Sequence, residues 1–190
     1  QADGRLPVGR GVSLTFSGQG IFQGETGKAV YPGVQSGMGG LFAAVGWKGS
    51  EMRLAANVSS RDGDFLNLFG LYPGFTSIME EDNNLAGERS WLFGLTLDLG
   101  AHGVPGLAFI LNRTKAWIHE PRPGMSGLDQ KELNLELRYR LPEPVKGLLV
   151  RLRYANVESA LDQGTIYGRD FDDYRVVLQY DLPLGTAIRK

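Results

Sequence analysis

Between residues 131 and 154 the chain reads KELNLELRYRLPEPVKGLLVRLRY, and along both arms every second residue is apolar. Alternation of this kind marks a strand with two unlike faces, because successive side chains leave a strand on opposite sides. Leu133, Leu135, Leu137 and Tyr139 fall on one side of the first arm, against Asn134, Glu136, Arg138 and Arg140 on the other. Past the Pro-Glu-Pro turn, Leu148, Val150, Leu152 and Tyr154 oppose Arg151 and Arg153. A soluble β-sandwich would turn these leucines to its core and the arginines to water. An outer-membrane barrel would turn the leucines to lipid and the arginines to a wet lumen.

The same period of two runs along almost the whole chain, with 27 glycines among 190 residues, which predicts an all-β antiparallel meander. Eight strands are expected, near residues 12 to 23, 38 to 48, 52 to 60, 90 to 99, 107 to 117, 130 to 140, 148 to 157 and 172 to 182. Strands of about 9 to 11 residues suit a tilted bilayer crossing, and no run reaches the roughly 18 apolar residues of a transmembrane helix. Any membrane crossing must therefore be built from strands. The connections alternate: Lys48-Gly49-Ser50, GAHGVPG at 100 to 106 and LPEPVKG at 141 to 147 are short, whereas 24 to 37, 61 to 89, 118 to 129 and 158 to 171 are long. Short turns at one end and long loops at the other are the asymmetry of a transmembrane barrel, with the long loops extracellular. The chain reads as one domain over residues 1 to 190, a barrel or a segment of one, with 61 to 89 as a long extracellular loop. Gln1 opens a polar, Gly-rich start, so either a leader has been removed or the sequence begins inside a longer chain.

Several functions are disfavoured. A formal net charge of -1 gives no global field to recruit nucleic acid, and the absence of cysteine removes thiol chemistry and Cys-ligated zinc. Only His102 and His119 are present, at opposite ends of the predicted strands, so no catalytic residues are assigned. A Ser with His119 and Asp162 has no spacing to recommend it, and no Gly-rich phosphate loop opens a helix. No cofactor and no metal are expected; the acidic run Glu80-Glu81-Asp82 reads as a solvated loop rather than a calcium site.

The face pattern recurs. In the final strand Tyr174, Val176, Leu178, Tyr180 and Leu182 oppose Arg175, Val177, Gln179 and Asp181; in the fourth, Trp91, Phe93, Leu95, Leu97 and Leu99 oppose Leu92, Gly94, Thr96 and Asp98. Gly39, Gly40, Gly46, Gly94, Ala43, Ala44, Ala55 and Ala56 suggest a small-residue face suited to a lumen. Arg113 and Lys115 share the parity of Leu107, Phe109 and Leu111, which places them at or beyond the outer interface, where long basic chains snorkel. Trp47, Trp91, Trp117, Tyr139, Tyr154, Tyr174 and Tyr180 are expected near strand ends, as interfacial girdles.

The segments YPGFTSIMEEDNNLAGERSWLFGLTLDLGAHGVPGLAF, ELRYRLPEPVKGLLVRLRYANVES and DDYRVVLQYDLPL resemble the C-terminal half of OprD-family outer-membrane porins, over roughly residues 38 to 184. That resemblance implies an eighteen-stranded barrel, of which these would be the last eight strands, with a narrow pore for small carboxylate-bearing nutrients. It implies that the loop at 61 to 89 folds inward to pinch the pore; within it Tyr72, Pro73, Gly74 and Phe75 either narrow the bore or form an ordinary turn with hydrophobic loop packing. It also implies a row of lumen-facing basic residues, for which the inward positions supply Arg53, Arg138, Arg140, Arg151, Arg153 and Arg175. A guanidinium offers a fixed, permanently charged fork to a carboxylate, and a row of them offers successive weak sites. Against this, Glu136, Asp98, Asp181 and Glu132 could pair with the arginines and merely fill a closed small barrel. The departures from the family are a chain of less than half its usual length and a continuation past the last strand, PLGTAIRK, with no terminal aromatic. The expected partners are a lipid bilayer of the bacterial outer membrane, small anionic solutes and the outer-membrane assembly machinery, with the protein a monomer or weak trimer. The alternatives are a stand-alone eight-stranded barrel with a plugged lumen and a structural or adhesive role, or a soluble β-sandwich binding module.

Overall fold

The computed structural model describes residues 1–24, 35–65, 74–118, 128–145, 147–159 and 170–181. They form nine strands: β1 (Ala2–Gly9), β2 (Val12–Gly24), β3 (Gln35–Trp47), β4 (Ser50–Ser59), β5 (Glu88–Asp98), β6 (Leu107–Ile118), β7 (Leu128–Arg140), β8 (Leu148–Ser159) and β9 (Phe171–Tyr180). Each pairs antiparallel with its neighbour in sequence order, in one sheet that runs from β1 to β9 without closing on itself. A stand-alone closed barrel of eight strands is thereby corrected to an open sheet of nine. The unexpected strand is β1, whose sequence ADGRLPVG lacks strand propensity. It lies at the sheet edge, where Pro7 forfeits no bond on the unpaired side.

The short turns are tight for local reasons. Lys48 and Gly49 both take positive φ, 48° and 83°, between Trp47 and Ser50, which are paired in register. This is the two-residue hairpin geometry that matches strand twist. After β5, a 3-10 turn at Leu99–His102 is capped by Asp98, whose carboxylate accepts from the Gly100 N–H at 2.8 Å. No helix of the described residues is long and apolar enough to cross a membrane.

The two faces of the sheet are unlike, as the alternation requires. One bares Leu41, Val45, Met52, Leu54, Val58, Leu137, Leu152, Val176 and Leu178, with Val176 71% exposed. The other carries Asn57, Ser59, Ser90, Thr114, Glu132, Asn134 and Glu136, all buried. Polar groups are therefore covered while leucines lie open, the inverse of a water-soluble sandwich and the arrangement of a lipid-facing sheet. The small residues do not share one face: Gly40, Ala44 and Ala55 are on the covered side, Gly39 and Ala56 on the bare side. Trp47, Tyr139 and Tyr180 sit at strand ends, but Tyr154 and Tyr174 lie mid-strand, cross-strand partners with ring centroids 5.0 Å apart.

What covers the polar face is the connection between β4 and β5. Phe75 packs on Phe42 with ring centroids 5.6 Å apart, and its N–H donates to Asn57 Oδ1 at 3.2 Å. Asn57 Nδ2 donates to Thr76 Oγ1 at 2.8 Å, and Thr76 Oγ1 lies 2.7 Å from Ser90 Oγ. Gly74 has φ +86°, and a Cβ there would collide with the Asn57 amide, so only glycine lets the chain enter this seat without strain. Tyr72 and Pro73, expected at the same constriction, lie outside the described residues, as do His119 and Asp162.

Candidate functional site

The covered face is organised around Glu136 in the middle of β7. Strand pairing places Arg153 directly opposite Glu136, and Arg175 of β9 opposite Arg153. One step nearer the short turn, Arg138 and Arg151 face each other across β7 and β8. Like charges directly opposite repel. Glu136 removes the conflict by gathering all three neighbours. Arg151 grips it as a fork, Nε to Oε1 at 2.9 Å and Nη2 to Oε2 at 2.8 Å; Arg138 donates through Nε to Oε1 at 2.8 Å; Arg153 Nε lies 3.2 Å from Oε2. A bidentate charge-assisted pair is among the strongest polar contacts available. Three guanidiniums nevertheless share one carboxylate, so the cluster keeps a positive surplus.

Arg53 joins it from β4. Its Nη2 donates to Asn112 Oδ1 at 2.6 Å, crossing β5 to reach β6. Arg53, Gly94, Asn112 and Asn134 form one row across four strands. A side chain at Gly94 would strike both Arg53 and Asn112, so this glycine is the gap through which the guanidinium passes. Gly94→Ala is expected to displace Arg53 and lower the urea midpoint, at a cost of about 1–3 kcal/mol for overpacking. In a double-mutant cycle that penalty should shrink once Arg53 is also alanine, since the two residues contact each other. Equal penalties in both backgrounds would separate the glycine from the arginine.

Arg53, Arg138, Arg151 and Arg153, with Asn112, Asn134 and Glu136, line a cavity of about 350 Å³. Ser77, Ile78 and Met79 of the overlying connection form its other wall. The remaining two arginines stand apart. Arg140 lies at the short-turn end, paired with Asp181 at 3.1 Å, each about half exposed. Hydrogen bonds from Gln179 and Arg140 hold the Asp181 carboxyl below its ordinary range. Arg175 pairs with Glu80 of the connection and with Asp173. Of the four acids suspected as partners, Glu136 and Asp181 pair with arginine; Asp98 caps its turn, and Glu132 does something else.

Glu132 is completely buried and accepts three main-chain N–H groups: Met79 at 3.2 Å and Glu80 at 3.0 Å on Oε1, and Glu81 at 2.9 Å on Oε2. It thereby holds the connection over the cavity. The acidic run is consequently packed rather than solvated. Burial pushes the Glu81 carboxyl above its ordinary range, and burial raises Glu80 against the opposing pull of Arg175. No group of three metal-ligating side chains is present among the described residues.

Sequence parity placed Glu136 beside the arginines but not at their focus, since that needs the β7–β8 register. The short turn at 141 to 147 contains the signal, because a tight hairpin fixes which residues face each other. Asn112 and Asn134 had no such marker, and nothing local in the sequence links Glu132 to residues 79 to 81.

The model of the family described as outer membrane porin, OprD family, matches residues 1–184, reaching back past residue 38 into the unexpected first strand. Porin D of Pseudomonas aeruginosa is 32% identical over 123 residues, 57% of this chain and 27% of that protein. The improved crystal structure of P. aeruginosa OprD is similar with a TM-score of 0.79 at 25% identity, covering 94% of this chain and 51% of the solved one. P. aeruginosa OccK10 (OpdN) is similar with a TM-score of 0.85 at 23% identity, covering 96% and 52%. P. aeruginosa OpdK, solved with vanillate, gives 0.81 at 22% identity, covering 93% and 46%. The chain thus spans about half the length of these solved relatives. With the family model matching nearly its whole length, the chain belongs to the OprD family of outer-membrane porins.

Proposed function

We propose that these nine strands form one wall of a diffusion channel in the bacterial outer membrane, selective for small carboxylate-bearing anions. The bare leucine face meets lipid and the covered face meets solute. The observation that carries the selectivity is the cluster around Glu136, where three arginines converge on one carboxylate beside a cavity. Same-face residues on a strand are about 7 Å apart and neighbouring strands about 5 Å, so a small anion can move from one fork to the next without crossing a long gap. The order along the wall is Arg53 nearest the long loops, then Arg153, then Arg138 with Arg151, and Arg140 at the short-turn end. Arg175 sits beside Arg153 in β9, held by Glu80. Each site is partly neutralised, which keeps binding weak enough for release. The connection bearing Gly74, Phe75 and residues 76–86 narrows the bore. Vanillate, present in the OpdK structure, is an anion of the proposed class.

Reversal potentials of the full-length protein in a planar bilayer under a salt gradient test this reading. Anion preference is expected, and Arg151→Ala/Arg153→Ala should reduce it severalfold while leaving channels open. Cation preference in the parent, or unchanged selectivity in the double variant, would overturn it.

A further inference from the structure

The bare face does not stay apolar up to the long loops. At that end its rows are Val58, Arg89, Trp117 and Asp129, then Ala56, Trp91, Lys115, Lys131 and Glu158, with Arg113 one row further in. These cations project outward from the barrel wall, so they cannot contribute to the pore. Lys115 is paired with Asp129 at 3.0 Å and Lys131 with Glu158 at 2.9 Å. Arg61, Arg89 and Arg113 form no ion pair among the described residues. Arg61 and Arg89 are both exposed, and they share a cleft of about 480 Å³ with Val58, Ser60 and Trp117. Val58, 53% exposed, gives the cleft an apolar floor, and Trp117, in the row nearest the long loops, supplies the residue type enriched at membrane interfaces.

We propose that this cleft holds the phosphorylated headgroup of an outer-leaflet lipid. Two guanidinium forks that form no ion pair among the described residues match a phosphate in charge and geometry. Val58 and Trp117 suit the top of an acyl chain and the headgroup boundary. Long loops lie on the extracellular side of such barrels, which places the cleft in the outer leaflet rather than the inner. A basic pocket at the rim of a membrane protein is the general form of headgroup recognition. The inference stands independently of the channel's selectivity, because it uses the opposite face of the sheet.

The test is native mass spectrometry of the full-length protein in detergent with added lipid A, a bisphosphorylated glucosamine lipid. The parent is expected to retain the lipid, and Arg61→Gln/Arg89→Gln to bind it about tenfold more weakly, the loss of a charge-assisted contact. Arg61→Lys/Arg89→Lys should recover part of the affinity. Lys48→Gln, which removes the cation stacked on Trp47 at the other rim, should leave binding unchanged. All variants are compared after heat-modifiability on gels confirms a folded barrel. Three results would each overturn the proposal: undiminished binding in the Arg61/Arg89 glutamine variant; an equal loss in Lys48→Gln, which would mean nonspecific charge; or displacement of the lipid by equimolar inorganic phosphate, which would mean a free-phosphate site.

Discussion

Glu136→Gln should destabilise the β7–β8 hairpin and at the same time sharpen anion preference. The carboxylate is the shared partner of Arg138, Arg151 and Arg153, and its side chain is only 9% exposed. Glutamine preserves shape and one acceptor oxygen but removes the charge. Three guanidiniums then face one another, with Arg138 and Arg151 directly opposite across the strands. Losing one member of a fully buried pair costs about 3–5 kcal/mol, and about 1–3 kcal/mol is expected here because the arginines are partly solvated. Urea titration of the folded barrel measures the first effect as a lowered midpoint. Reversal potential measures the second, since Arg138, Arg151 and Arg153 lose the negative charge they share. A variant with parental stability and parental selectivity would remove Glu136 from the centre of the site.

Glu132→Ala should release the connection from the cavity and raise unit conductance. Its two oxygens accept three main-chain N–H groups from residues 79 to 81. Hydrogen bonds to a charged group contribute about 1.5–3 kcal/mol each, so their joint loss outweighs the partly exposed ion pair of Glu80 with Arg175 that remains. The further ties at Asn57 hold Phe75 and Thr76, which should stay docked while residues 77–82 swing away. Single-channel recording should show larger, noisier steps, and limited proteolysis should cut near Glu80 in the variant alone. Unchanged conductance with unchanged protease resistance would mean that the connection is held by other contacts.

The faces of the sheet were legible because a period of two is a local property: Leu133 to Tyr139 and Leu148 to Tyr154 declare their side without knowledge of any partner. Most strand positions followed for the same reason. The first strand was not legible, since ADGRLPVG carries two glycines and a proline, and only its single-sided pairing with β2 makes it a strand. The arginines could be sorted by parity, but their division into a cluster of four and two outliers depends on cross-strand neighbours. The seat of the connection was invisible for a different reason. Glu132 is bonded to groups 51 to 53 residues away, and those groups are main-chain N–H, which every residue except proline possesses. No pattern of side chains records such a contact.

That same anonymity has an evolutionary consequence. Because Glu132 grasps the backbone, its grip does not depend on the side chains of residues 79 to 81, although Glu80 adds a side-chain tie to Arg175, and proline is the one substitution the grip itself forbids there. Selection can therefore exchange the chemistry displayed over the cavity at these positions while the architecture that presents it stays put. A scaffold anchored through its main chain is open to rapid diversification of the surface it presents, one residue at a time.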